Sequence, residues 1–125
     1  MKHIARTTLA LTLAVGASAA TWGVQHFALA KSMPEADSTI ESPEQLRLWF
    51  TQAPQEGSVS IRLIDAAGEA VETGDPVRSE DDAKLMEVAV DDALSAGSYT
   101  VAWRGIGDDG HVVRDDFQFT VTAVR

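Results

Sequence analysis

Beyond residue 40 the chain alternates between apolar and polar positions. Leu46, Leu48 and Phe50 are separated by Arg47 and Trp49, and Val59, Ile61 and Leu63 by Ser60 and Arg62. Met86, Val88 and Val90 alternate with Glu87 and Ala89, Tyr99, Val101 and Trp103 with Thr100 and Ala102, and Phe117, Phe119 and Val121 with Gln118 and Thr120. Period two places successive side chains on opposite faces, the mark of a half-buried strand. The pattern predicts strands near 46–51, 58–64, 85–90, 98–104 and 115–123. Leu48, Phe50, Ile61, Leu63, Val101, Trp103, Phe119 and Val121 should face a core. Turn residues punctuate the joints: Ala67-Gly68, Gly74-Asp75-Pro76, Ala96-Gly97 and Asp109-Gly110. Residues 79–87 could open with a helical turn after Ser79, but the alternation that follows favours a strand. Many short strands without a long 3.6-residue pattern predict an all-β fold, an antiparallel sandwich or small barrel.

The first residues follow a different rule. Residues 1–6 carry Lys2 and Arg6 and no acid, and residues 7–20 carry no charge and are rich in Leu, Ala and Val. A basic start, a short apolar run and the small residues Ala17-Ser18-Ala19 are the pattern of a secretory signal. The run is shorter than the roughly 20 apolar residues of a membrane span. An uncleaved anchor extended by Trp22 and Val24 is the less favoured reading. The chain thus divides into an expected signal, residues 1–25, and a domain, residues 26–125. Ala28-Leu29-Ala30 offers a second place for the cut, and a cut directly before His26 would put Gln25 at the last signal position, where a small residue is expected.

Composition narrows the chemistry. The chain has 125 residues, is 45% hydrophobic and 23% charged, and has a net charge of −9. One ordinary folded domain fits these values. Removal of Lys2 and Arg6 leaves eight cations against 19 acids, a net −11. Generic binding to nucleic acid or to an anionic membrane needs a basic face and is disfavoured. The absence of cysteine excludes disulfides, thiolate nucleophiles, Fe–S clusters and cysteine-held zinc. Neither His26 nor His111 sits in a nucleophile motif, and no glycine-rich phosphate loop joins a strand to a helix. Nothing marks an enzyme. The acid clusters Glu80-Asp81-Asp82, Asp91-Asp92 and Asp115-Asp116 lack the regular offsets of a calcium loop.

One constellation remains. Asp108-Asp109-Gly110-His111 follows the strand ending at Trp103-Arg104. Asp-x-His in a turn lets a carboxylate and an imidazole face one centre, and such ligands suit Cu(II), Ni(II) or Zn(II), with Cu(II) bound tightest. Taken alone, such a turn is more often solvated than ligating. Arg104 beside it could pair with Asp108 or Asp109.

The order of motifs around the turn adds to this. Gly97-Ser98-Tyr99-Thr100-Val101-Ala102-Trp103-Arg104, then Asp109-Gly110-His111, then Phe117-Gln118-Phe119-Thr120-Val121 resembles the end of the CopC-type periplasmic copper-binding proteins. His26-Phe27-Ala28-Leu29-Ala30-Lys31-Ser32-Met33-Pro34 is similar to that family's opening. Pro43–Phe50 is similar to its first core strand, and Ile64-Asp65-Ala66-Ala67-Gly68 to its hairpin turn. The likeness spans residues 26–125.

The resemblance implies a Greek-key β-sandwich or barrel, immunoglobulin-like or cupredoxin-like, that binds Cu(II) in the periplasm. Carried over by position, the ligands are His26, Asp109 and His111, with the mature terminal amine as a further family ligand. Gln52 stands where some members place a carboxylate and would ligate poorly. Met33 and Met86 are too sparse for a thioether Cu(I) site. Val112 and Gly107 replace the family's usual Pro after and Ser before its D-G-H. The implied role is a monomeric copper carrier or buffer without catalysis, exchanging copper with an inner-membrane copper transporter or a periplasmic copper protein. A different class of function is a secreted immunoglobulin-like interaction or scaffold module without metal. For His26 to reach the turn, a strand from about Leu29 is expected to run beside the strand leading into or out of it.

Overall fold

The structure, a computed structural model, describes residues 26–122. Nine strands build it: β1 (Leu29–Met33), β2 (Thr39–Ile40), β3 (Gln45–Phe50), β4 (Ser60–Ile64), β5 (Ala70–Val71), β6 (Val77–Arg78), β7 (Leu85–Ala89), β8 (Gly97–Ile106) and β9 (Val112–Val121). No helix occurs among the described residues, so Ser79 opens no helical turn. The strands form a four-stranded sheet in the order β1-β3-β7-β6 and a five-stranded sheet in the order β2-β9-β8-β4-β5. The chain passes back and forth between the sheets, which gives the expected all-β sandwich.

The alternation explains the packing. Leu46, Leu48 and Phe50 of β3 point inward, and the register Leu48↔Met86 aligns them with Met86 and Val88 of β7. On the facing sheet Ile61 and Leu63, then Tyr99, Val101 and Trp103, then Phe117, Phe119 and Val121 point back at them. All eight residues expected in the core are buried. Each such side chain contributes about 1.5–3 kcal/mol of burial. Trp49 faces outward, half-buried between Lys31 and Arg47, whose charged groups lie 4.5 and 4.9 Å from its ring. A charge over an aromatic face is attracted by the ring quadrupole.

The β4–β5 hairpin carries the expected D-x-x-G turn. The Asp65 carboxylate accepts from the N–H groups of Ala67 and Glu69, and Gly68 takes φ +80°. Two outcomes differ from the expectations above. β9 begins at Val112, three residues before the expected start, because Val112–Asp116 are mostly exposed and show no period. β1 pairs antiparallel with β3, through Leu29↔Phe50 and Ser32↔Leu48, and not with either strand of the Asp109–His111 hairpin.

Candidate metal centre

The β8–β9 hairpin is in continuous register from Gly97↔Val121 to Ile106↔Val112. Residues 107–111 close it. The Gly110 N–H donates to the Gly107 carbonyl at 3.1 Å, and Gly110 adopts φ +78°, a conformation open mainly to glycine. The Asp109 carboxylate then folds back on the turn. Its Oδ1 accepts from the His111 N–H at 3.1 Å, and its Oδ2 lies 3.0 Å from His111 Nδ1. The i to i+2 spacing read in the sequence thus places carboxylate and imidazole in direct contact. The pair is open to solvent: the His111 side chain is 83% exposed.

Hydrogen bonding to the charged form favours it. The His111 ring holds the Asp109 carboxyl below its ordinary value, with the His111 N–H second. Desolvation opposes this slightly, and the fields of His111 and His26 add to it. His26 is exposed, yet near enough for its charge to register at Asp109. Among the described residues no group of three His, Asp or Glu side chains is gathered closely enough to hold a metal ion. Asp109 and His111 are brought together, and His26 stands apart in their field.

His26 reaches this end of the molecule by a route other than strand pairing with the hairpin. Its neighbour Phe27 is the anchor. The Phe27 ring stacks on Phe50 at 4.8 Å and meets Trp103 edge-on at 6.1 Å, and only 2% of the residue is exposed. It lies on the bare backbone of Gly105 and Gly107. A Cβ at Gly105 would come within 2.8 Å of the ring, and one at Gly107 within 2.6 Å of Phe27 Cβ. The two glycines let the N-terminal segment lie across the end of β8, although its own strand belongs to the other sheet.

Thr51 and Gln52, at the exit of β3, join the two halves. Thr51 Oγ1 donates to the His26 carbonyl at 3.0 Å and accepts from the Ala28 N–H at 3.1 Å. Gln52 Oε1 accepts from the Asp108 N–H at 2.7 Å. Further along the same loop, Gln55 Nε2 donates to the Gly107 carbonyl at 3.0 Å and Ser58 Oγ accepts from the Ile106 N–H at 3.2 Å. Phe27, Thr51, Gln52 and Gln55 are the residues that sequence reading missed as supports. The signal that could have found part of this is Gly105-Ile106-Gly107 at a strand end, a mark of close approach. Arg104 does not pair with Asp108 or Asp109. It lies on the outer face of β8, opposite Arg114.

The comparisons agree with this architecture. The CopC domain family matches residues 29–122. The chain belongs to the CopC family. Protein YobA of Escherichia coli K12 is 26% identical over 117 residues, 93% of each chain. Copper resistance protein C of Escherichia coli is 28% identical over 102 residues, 77% of this chain and 81% of that one. Among solved structures, CopC from Methylosinus trichosporium OB3b aligns with a TM-score of 0.72 at 27% identity, covering 80% of this chain and 97% of that one. PcoC, a methionine-rich copper resistance protein from Escherichia coli, aligns with a TM-score of 0.70 at 27% identity, covering 78% and 99%. Unlike a methionine-rich protein, this CopC-family chain has three methionines, of which Met86 is in the core.

Proposed function

We propose that this chain binds one Cu(II) through His26, Asp109 and His111 and carries or buffers it outside the cytoplasm as a monomer, without catalysis. The observation that carries the reading is the 3.0 Å contact between His111 Nδ1 and Asp109 Oδ2 on an exposed turn. Two neighbouring ligands of one ion, each at roughly 2.0–2.2 Å, lie roughly 2.8–3.1 Å apart when they subtend a right angle. The pair is therefore spaced as two ligands of one ion would be. Nitrogen and oxygen donors select Cu(II) over Cu(I). His26, which stands apart from the pair but is exposed and tied to the same end of the sandwich by Thr51 and Phe27, swings in to supply the second imidazole when the ion binds.

Exposure supports a carrier. An ion held at a solvent-facing turn can be reached by a partner, such as an inner-membrane copper transporter or a periplasmic copper protein. Relatives named for copper resistance support copper as the cargo. The signal pattern of residues 1–25, which lie outside the described residues, supports export to the periplasm.

The test is mass spectrometry of the exported protein followed by Cu(II) titration. One equivalent should bind, and His111→Ala should abolish most of the affinity while leaving thermal unfolding in place. Absence of Cu(II) binding in the exported protein would reject the reading in favour of a metal-free scaffold.

A further inference from the structure

The outer face of the five-stranded sheet carries a cluster that the copper site does not use. The register aligns Ser60, Arg104 and Arg114 in one row across β4, β8 and β9, and Arg62, Ala102 and Asp116 in the next. Arg62, Arg104 and Arg114 are all exposed. They border a shallow groove of about 550 Å³ in which Ala102 lies between Arg62 and Asp116. Like charges directly opposite on an antiparallel pair are destabilising, yet Arg104 faces Arg114.

The fold uses its other described arginines internally. Arg47 pairs with Glu87 at 3.7 Å and covers Trp49. Arg78 donates to the carbonyls of Ala83 and Pro54, each at 2.6 Å. The three arginines of the groove make no ion pair or side-chain hydrogen bond among the described residues. A guanidinium is a planar fork matched to a carboxylate, and here three such forks are gathered on a chain whose net charge is −9.

We infer that this groove docks an acidic segment of a protein partner, with Arg62, Arg104 and Arg114 receiving its carboxylates. The inference deepens the carrier reading and rests on it for its purpose. Arg104 and Arg114 lie two residues, about 7 Å along each strand, from the last pair of the hairpin, Ile106 and Val112, beyond which the turn holds Asp109 and His111. A partner seated on the groove is thereby held beside the copper turn. The choice of a protein segment follows from charge. A continuous anionic membrane surface would meet Asp115 and Asp116 at the groove's edge wherever it met the arginines. A segment with spaced carboxylates can reach the arginines and clear both aspartates. At physiological salt the field of distant acids is screened beyond about 8 Å, so contact charges decide docking.

The test uses copper-free exported protein and the synthetic peptide Ac-Glu-Gly-Glu-Gly-Glu-amide, followed by NMR of backbone amides and arginine Nε–Hε groups. Saturable shifts are expected at Arg62, Arg104 and Arg114. The triple variant Arg62→Gln, Arg104→Gln, Arg114→Gln should bind the peptide at least tenfold more weakly and keep its Cu(II) affinity within twofold. Should the triple variant fail to fold, Arg104→Lys, which keeps charge and loses the fork, should weaken the peptide several-fold. No shift in the unaltered protein, equal binding by the variants, equal shifts with inorganic phosphate, or preferential binding to phosphatidylglycerol vesicles would each overturn the inference. Because the peptide assay contains no copper, its failure is separable from failure of the carrier reading.

Discussion

At the scale of single residues, Asp109 and His111 form one unit. Asp109's carboxyl is held below its ordinary value mainly by the His111 ring. A depressed carboxylate contributes its stabilisation above the ordinary carboxylate pKa and loses it as pH falls through the lowered value. In His111→Ala the midpoint should rise toward the ordinary value of 3.8. Carbon-13 NMR of the Asp109 carboxyl checks this, and an unmoved midpoint would remove His111 as the cause. Gln52 is a positioning residue. Gln52→Ala removes the acceptor of the Asp108 N–H, and such a bond contributes about 0.5–1.5 kcal/mol. Isothermal titration should show Cu(II) affinity reduced several-fold in Gln52→Ala, and an unchanged affinity would remove Gln52 from that role. The aspartate and histidine were legible because they sit two positions apart. Gln52 was not, because its partner lies 56 positions away and is a backbone group.

At the scale of elements, the end of β8 decides whether the N-terminal segment can reach the turn. Gly107→Ala would drive a Cβ to within 2.6 Å of Phe27 and 3.0 Å of Gln52 Oε1. Overpacking of this kind costs about 1–3 kcal/mol. Urea unfolding should show that loss, and Cu(II) affinity should fall with it because Phe27 carries His26. Unchanged stability would mean that Phe27 is free to move aside. The long strands were legible from alternation because each buries one face against the other sheet. The pairs Thr39–Ile40, Ala70–Val71 and Val77–Arg78 were not, since two residues display no period. Phe27 escaped notice as a core residue because it adjoins a segment with the composition of a leader. The neighbour of β1 was misread for a related reason: pairing with β3 is set by the sandwich, and the glycine floor under Phe27 brings His26 to the turn without it.

At the scale of the whole molecule, donors are segregated by softness. Met86 is buried in the core and Met33 is 52% exposed at the far end of β1 from His26. Among the described residues no pair of thioethers is available to Cu(I), while His26, Asp109 and His111 share one end of the sandwich. The protein should bind one Cu(II) per chain with a pale tetragonal spectrum, and Cu(I) far more weakly. Competition titrations with chelators for each oxidation state check this, and tight Cu(I) binding would contradict it. The most direct measurement of the central claim is pulsed electron paramagnetic resonance of the Cu(II)-loaded exported protein, which counts bound imidazoles. The account predicts two, falling to one in His26→Ala and to one in His111→Ala. A single imidazole in the unaltered protein, or a count unchanged by either substitution, would contradict it.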